Sequence, residues 1–347
     1  MKKIFVFLAL ILFISGCGKN NDKNLVKELS KKVSDSNSYH LTATLEIYRN
    51  EEKYSYDVDS SYMKGDYYKV NLVNKNNNHE QIILKNKDGV YVLTPALNKS
   101  FKFQSDWPYN NSQIYLLQPI MNDMTNDSNR TLDKKDDGYI LTSKVNYSTE
   151  KDFKKQKLYI DKDKNITKVE IVDEKDSVKM CLTVIDIEYN SKFDEEYFSA
   201  SKYLKDVDNN KPNEEVKENQ NSNSKNDTKQ SQETAKLDEI VYPMYVPTDT
   251  YLSAQDVVST NDGERVILTF TGESAFTVVQ ETAKNDEIAT NYDYGDPYLI
   301  LDTVGAITDY SVTWLSNGVE YSVMSDTMNV DELLTVAQSI SVKAVGK

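Results

Sequence analysis

The sequence predicts a mainly β chain with few helices, an α+β protein in two folded units of unequal size. Three observations carry this. First, 24 tyrosines stand against 11 glycines and 7 prolines in 347 residues, and tyrosine favours half-buried pleated surfaces. Second, apolar and polar residues alternate with period two over much of the chain, as in Leu41, Ala43, Leu45 and Ile47 set between Thr42, Thr44 and Glu46, the pattern of a half-buried strand. Third, residues 206–236 are mostly Asn, Lys, Glu, Gln and Ser with one proline and no aromatic residue, too poor in apolar surface to order themselves. These observations divide the chain into a leader (1–17), a larger β unit (18–205), a disordered polar linker (206–236) and a small α+β unit (237–347).

The leader comes first. Lys2 and Lys3 precede an apolar run from Ile4 to Ile14, and Ser15-Gly16-Cys17 supplies small residues at a processing point. The run is about half of the ~20 residues a membrane-spanning helix requires. Ile14-Ser15-Gly16-Cys17 resembles the lipobox of bacterial lipoproteins. That resemblance implies a diacylglyceryl group on Cys17, and several acyl chains on one residue hold a membrane where one alone does not. The expected location is the extracytoplasmic face of the cell membrane.

Leu25, Leu29 and Val33 recur at helical spacing and predict a helix over 25–34. Strand patterns follow at 41–47, 54–58, 67–73, 81–84, 90–93 and 100–103. Their separators, such as Lys64-Gly65-Asp66 and Lys87-Asp88-Gly89, are turn chemistry. One helical segment interrupts them at 112–124, where Ile114, Leu117, Met121 and Met124 share a face. Pro119 within it predicts a kink or two short helices. Strands resume at 138–145, 156–160, 166–172 and 178–189. In the last, Val178, Met180, Leu182 and Val184 fall on one side and Cys181, Ile185, Ile187 and Tyr189 on the other, so both faces should be covered.

The linker spans on the order of 30 Å as a coil and should leave the second unit free to explore its surroundings. That unit shows strand patterns at 265–271, 275–280, 298–301, 306–315 and 320–324. It closes on a helix in which Asn329 caps, Glu332 completes a capping box, and Val330, Leu333, Leu334, Ala337 and Ile340 form a core stripe.

Composition excludes some function classes. With 41 basic and 55 acidic residues and a net charge of −14, the chain lacks the basic face that phosphate binding requires. Nucleic acid is therefore not an expected partner. Cys17 belongs to the anchor, so Cys181 has no disulfide partner and reads as a buried, inert thiol. The two histidines, His40 and His79, are too few for a multi-histidine metal site. Asp57 with Asp59, and Glu195 with Glu196, read as solvated acidic surface rather than an acid–base pair. Asp293, Asp296 and Asp302 around Tyr294-Gly295 read as turn chemistry rather than a calcium loop. No catalytic residue, cofactor site or metal site is expected.

The first unit resembles the LolA/RseB-like lipoprotein carrier superfamily, and within it the Gram-positive lipid-anchored branch that includes the spore-germination lipoprotein GerS. The resemblance rests on order: a helix, a tyrosine-rich hairpin series, Val90-Tyr91-Val92-Leu93-Thr94-Pro95, a helical insert after Trp107-Pro108, and hairpins ending in Phe193-Asp194-Glu195-Glu196-Tyr197-Phe198. It implies an unclosed antiparallel β half-barrel with helices in its concave face. The second unit, through Trp314-Leu315-Ser316-Asn317-Gly318-Val319-Glu320-Tyr321 and the following helix, resembles a domain of unknown function from Gram-positive surface lipoproteins and anti-sigma-factor-like proteins.

In the carrier the concave cavity holds acyl chains. Here its expected lining is Ile114, Leu117, Met121, Met124, Met180, Leu182 and Val184. Two readings stay open: a lipid pocket, or a hollow filled by the protein's own helices. A chain with its own lipid cannot shuttle between membranes. The expected function is thus a non-enzymatic binding module for a lipid or lipoprotein client, or an envelope protein partner, in envelope, sporulation or germination processes. An RseB-like sensor of envelope signalling is the alternative.

Overall fold

The computed structural model describes residues 19–49, 52–147, 150–204, 237, 239–260, 263–283, 288–300 and 302–340. Cys17 with its leader, and the stretch 206–236, lie outside the described residues. After helix α1 (Lys19–Ser34), the alternating segments form β1 (Ser38–Arg49), β2 (Glu52–Met63), β3 (Tyr67–Asn74), β4 (Glu80–Asn86), β5 (Gly89–Thr94) and β6 (Lys99–Gln104). Helix α2 (Leu117–Asn126) follows, then β7 (Thr131–Lys135), β8 (Gly138–Lys144), β9 (Lys155–Asp161), β10 (Ile166–Val172) and β11 (Val178–Tyr189). The C-terminal part contains β12 (Thr250–Thr260), β13 (Gly263–Gly272), β14 (Phe276–Thr282), β15 (Ile288–Tyr294), β16 (Asp296–Ile300), β17 (Thr303–Ile307), β18 (Ser311–Ser316), β19 (Val319–Met324) and helix α3 (Val330–Ser339).

Two sheets result. The larger has twelve strands in the order β15-β6-β5-β4-β3-β2-β1-β11-β10-β9-β8-β7, and its ends do not meet. It is an unclosed barrel. β1 sits near its middle, with β2–β6 running out on one side and β11–β7 on the other, every neighbour antiparallel except β6 with β15. The smaller has seven strands in the order β12-β13-β14-β19-β18-β17-β16, carrying α3 against β18 and β19. The capping box at Asn329 and Glu332 is formed, each side chain accepting from the other's backbone N–H.

Alternation dictates which side chains meet. Leu41, Leu45, Val58, Leu72 and Leu182 face inwards and join Leu25, Leu29 and Val33 of α1 in one core. Each fully buried aliphatic side chain contributes about 1.5–3 kcal/mol. The opposite face of β3–β5 is covered too. Tyr67, Leu84 and Leu93 lie under Phe193, Tyr197 and Phe198 of the segment that follows β11. The Lys64-Gly65-Asp66 turn between β2 and β3 takes positive φ at Gly65 and Asp66 (105° and 74°), the geometry that joins twisted antiparallel strands tightly.

Several expectations are corrected. Pro119 neither kinks nor divides a helix: α2 starts at Leu117, so Pro119 falls in its first turn, where its missing N–H had no partner to lose. In β11 a bulge opposite Thr42 and Ala43 leaves Ile185 unpaired and 69% exposed. The bulge switches the alternation, so Ile187 and Tyr189 pack against the same core as Val184 rather than on the opposite face. Cys181 is half-buried, not buried, and sits in register between Glu46 and Glu170. Burial and then Glu170 push its thiol pKa up, while Thr183 works the other way. The segment read as one strand over 306–315 is two, β17 and β18, joined by a turn. Strands β7, β12 and β15 carry no clean alternation and escaped the sequence pattern.

Candidate functional site

The seven residues expected to line the hollow converge, but on a packed core. Ile114, Leu117, Met121, Met124, Met180 and Leu182 are buried, and Val184 packs against the same cluster half-buried. Helices α1 and α2 lie against each other across the hollow, with α1 reaching β7 and α2 reaching β8. Tyr39 Oη donates to Gln118 Oε1 (3.0 Å) and accepts from Leu117 N (3.2 Å), pinning the start of α2 to β1. Gln156 Nε2 donates to the Ile120 carbonyl (3.0 Å) from the other arm of the sheet.

The rest of the concave face is occupied by the C-terminal part. Strands β16 and β17 lie against β5, and Val304, Ala306 and Leu315 belong to the barrel's own core. Gln81 of β4 reads the β17 backbone as a strand would: its Nε2 donates to the Val304 carbonyl (2.8 Å) and its Oε1 accepts from Val304 N (2.5 Å) and Thr303 Oγ1 (3.0 Å). Lys99 Nζ donates to Glu320 Oε2 at 2.7 Å with both groups largely buried. Asp296 accepts from Ser105 Oγ and from Asn110 Nδ2 (2.6 Å). Gly305 has no room for a side chain, since a Cβ there would come within 2.5 Å of the Thr313 carbonyl. The two sheets are therefore joined along a seam of paired polar groups, and the expectation that the second unit roams on its linker is not met.

Where the seam meets the helices, a cavity of about 100 Å³ remains. Ile47, Ile114, Tyr147, Met180, Leu299 and Ile307 make its apolar wall, and Arg49, Glu150 and Asp296 lie at its rim. Of the expected lining residues, Ile114 and Met180 reach this cavity, whereas Leu117, Met121, Met124, Leu182 and Val184 do not. At the rim Glu150 accepts from both Arg49 Nη2 and Tyr298 Oη, in a salt bridge whose side chains are 16% and 18% exposed. Burial works against the Arg49 charge, but Glu150 and Tyr298 outweigh it and hold the guanidinium pKa above its ordinary value. Burial raises the Tyr298 hydroxyl pKa. No sequence pattern announced this cluster, because β1, the loop before β9 and β16 meet only in the fold.

Asp123 of α2 accepts from Ser112 Oγ (2.6 Å), which itself accepts from Asn146 N (2.7 Å). Burial pushes the Asp123 carboxyl up to about 6, partly offset by the Ser112 hydrogen bond. The native state therefore keeps a proton that the unfolded chain has released, and this contribution is complete below about pH 4 and lost as pH rises through about 6. Asp123→Asn keeps the acceptor for Ser112 and should flatten that dependence. The variant is expected to be more stable than the native chain at pH 7.5 by about 1 kcal/mol, the full shift being reduced by the solvent that reaches the group. Urea midpoints of both chains at pH 4, 5.5 and 7.5 check it.

The remaining acidic candidates are dispersed. Asp57 pairs with Lys75 (2.8 Å), Asp59 lies between His40 (2.8 Å) and Lys69 (3.4 Å), and Glu195 pairs with Lys87 (2.8 Å) on the surface. Among the described residues no group of three or more His, Cys, Asp or Glu side chains is placed to hold a metal ion. No helix among them is long and apolar enough to cross a membrane.

No family model matches the chain. The sporulation protein YdcC of Bacillus subtilis (strain 168) is 32% identical over 346 residues, covering 98% of this chain and 97% of its own length. Among solved structures, the MucA/MucB complex of Pseudomonas aeruginosa superposes at 11% identity over 91% of this chain and 97% of that one, with a TM-score of 0.33. One chain of the structure of the CwlD amidase from Clostridioides difficile in complex with the GerS lipoprotein does so at 21% identity over 48% of this chain and 95% of that one, with a TM-score of 0.30.

Proposed function

The chain belongs to the family of the sporulation protein YdcC, and from that premise we propose that it is a lipid-anchored, extracytoplasmic binding module that holds a protein partner during sporulation. The observation that carries the choice of a protein over a lipid is the filled hollow. Helices α1 and α2 and strands β16–β18 occupy the concave face, and the cavity left between them is about 100 Å³. Ligand pockets for molecules of drug size run to about 300–1,000 Å³. Two larger openings, of about 390 and 420 Å³, lie at the edge of α1 with β7 and β8 and beside the loop before β9, and they are lined largely by Asn, Lys and Glu side chains rather than by the seven apolar residues of the hollow. Cys17 supplies the anchor, and the dispersal of the acidic groups supports a module that binds without catalysing a reaction.

Two measurements test this reading. Labelled palmitate should enter the full chain and should not enter Cys17→Ser. Organic extraction of the Cys17→Ser chain should release no acyl lipid. Recovery of a bound lipid near one per chain would overturn the protein-partner reading while leaving the anchor untouched.

The seam favours one elaboration, the sensor. A partner bound at the rim of Arg49, Glu150 and Tyr298 would touch both sheets at once, so occupancy could alter what the seven-stranded sheet presents. Partner cross-linking that is unchanged by deleting residues 237–347 would argue against this elaboration.

A further inference from the structure

Among the described residues four strands end the two sheets, and β12 is the longest of them. β7 carries Asp133, Lys134 and Lys135 among its five residues, charges of the kind that protect a free edge. β16 begins Asp-Pro and is packed into the seam, and β15 covers β6. Among the described residues β12 pairs with β13 alone, and its residues 251–259 are exposed. In eleven residues it has a single charge, Asp256, and no proline. It also exposes apolar side chains on both faces: Leu252 (40%) and Val257 (52%) opposite Phe270 and Val266, and Tyr251 (66%) and Val258 (45%) opposite Thr271 and Arg265.

We propose that this edge pairs with the β12 of a second copy of the chain, joining two smaller sheets across a two-fold axis at Gln255. The bulge between Leu252 and Ala254 sets the register. Counting from it, an antiparallel pair centred on Gln255 places Leu252 against Val257 on one face and Tyr251 against Val258 on the other. The same register sets Asp256 against Ala254, so the one charge of each strand avoids its copy, which like-charged pairs directly opposite would not tolerate. Such self-matching is what an isologous interface requires. Any register one residue away would place apolar side chains opposite the wrong face of the partner strand. The polar, nearly apolar-free stretch 206–236 offers nothing to cover these side chains. The pairing goes beyond the proposed binding function and does not depend on it.

The test is disulfide trapping in membranes of cells making the full chain in a Cys181→Ser background. Residues opposed across an antiparallel pair have Cα atoms about 4.5–5.5 Å apart, inside the ~4.4–6.8 Å that a disulfide spans. Gln255→Cys should give a covalent dimer at least about tenfold more abundant than Ser259→Cys, whose copy would lie roughly 25 Å away along the strand. Adding Val257→Lys should abolish that dimer and convert the Cys17→Ser chain from dimer to monomer in sedimentation equilibrium. A Gln255→Cys chain that stays uncross-linked, cross-linking that is equal at both positions, or a disulfide to a different polypeptide would each overturn the proposal.

Discussion

Replacing Glu150 with glutamine is expected to lower the free energy of unfolding by about 3 kcal/mol, because Arg49 is then left largely buried without its counter-charge. Arg49 and Glu150 keep 16% and 18% of their surface, so the cost falls at the lower end of what breaking a buried pair incurs. The double change Arg49→Met with Glu150→Gln should recover most of the loss, since removing both charges also removes the desolvation that they share. Tyr298→Phe should cost about 1 kcal/mol, the size of one hydrogen bond. Urea unfolding of the native chain, Glu150→Gln, Arg49→Met and the double variant measures the cycle, with Tyr298→Phe beside them, and hydrogen exchange over 296–300 reports whether the seam opens first. Equal stability of Glu150→Gln and the native chain would mean that the cluster contributes nothing to holding the two sheets together.

Leu117→Ala carries the second large effect. Leu117 is fully buried at the start of α2, inside the core that fills the hollow. Truncating it should destabilise the chain by about 2–5 kcal/mol, the range reflecting how far the surrounding side chains close the gap. The functional readout is sharper than the energy. An apolar cavity opened in a packed core stays dry and accepts small apolar molecules. Uptake of benzene or xenon should therefore appear in Leu117→Ala, and further in Leu117→Ala with Met121→Ala, while the native chain takes up neither. Uptake by the native chain equal to that of the variants would show that the core already holds an open apolar space.

Much of the fold was legible because period-two alternation is written by one side chain at a time. The strands from β1 to β5 and the α3 capping box follow from residues that act on their own segment. Three kinds of feature escaped. β7, with Leu132 among charged residues, lacks an apolar face of its own. β12 is solvated on both sides, so nothing alternates. Ile185 belongs to a bulge that only its cross-strand partners define, and a reading with uniform parity puts every residue beyond it on the wrong face.

The candidate site divides in the same way. Ile114, Leu117, Met121, Met124, Met180, Leu182 and Val184 pack into or against one interior core, and hydrophobic periodicity reports which face of each segment is buried. It does not report what lies opposite. That the space before them is closed by α1, α2 and β16–β18, and not left for a ligand, depends on how far apart those elements settle. Gln81 with Val304, Lys99 with Glu320, and Glu150 with Arg49 and Tyr298 are separated by 101 to 223 residues. Their chemistry exists only once the two sheets have docked. The sequence by itself determined the strands, the apolar faces and the acidic, charge-dispersed surface, since these depend on local order and composition. The tertiary structure decided that the hollow is filled and that the two units are joined, since volume and long-range pairing belong to the packed molecule and to no segment of it.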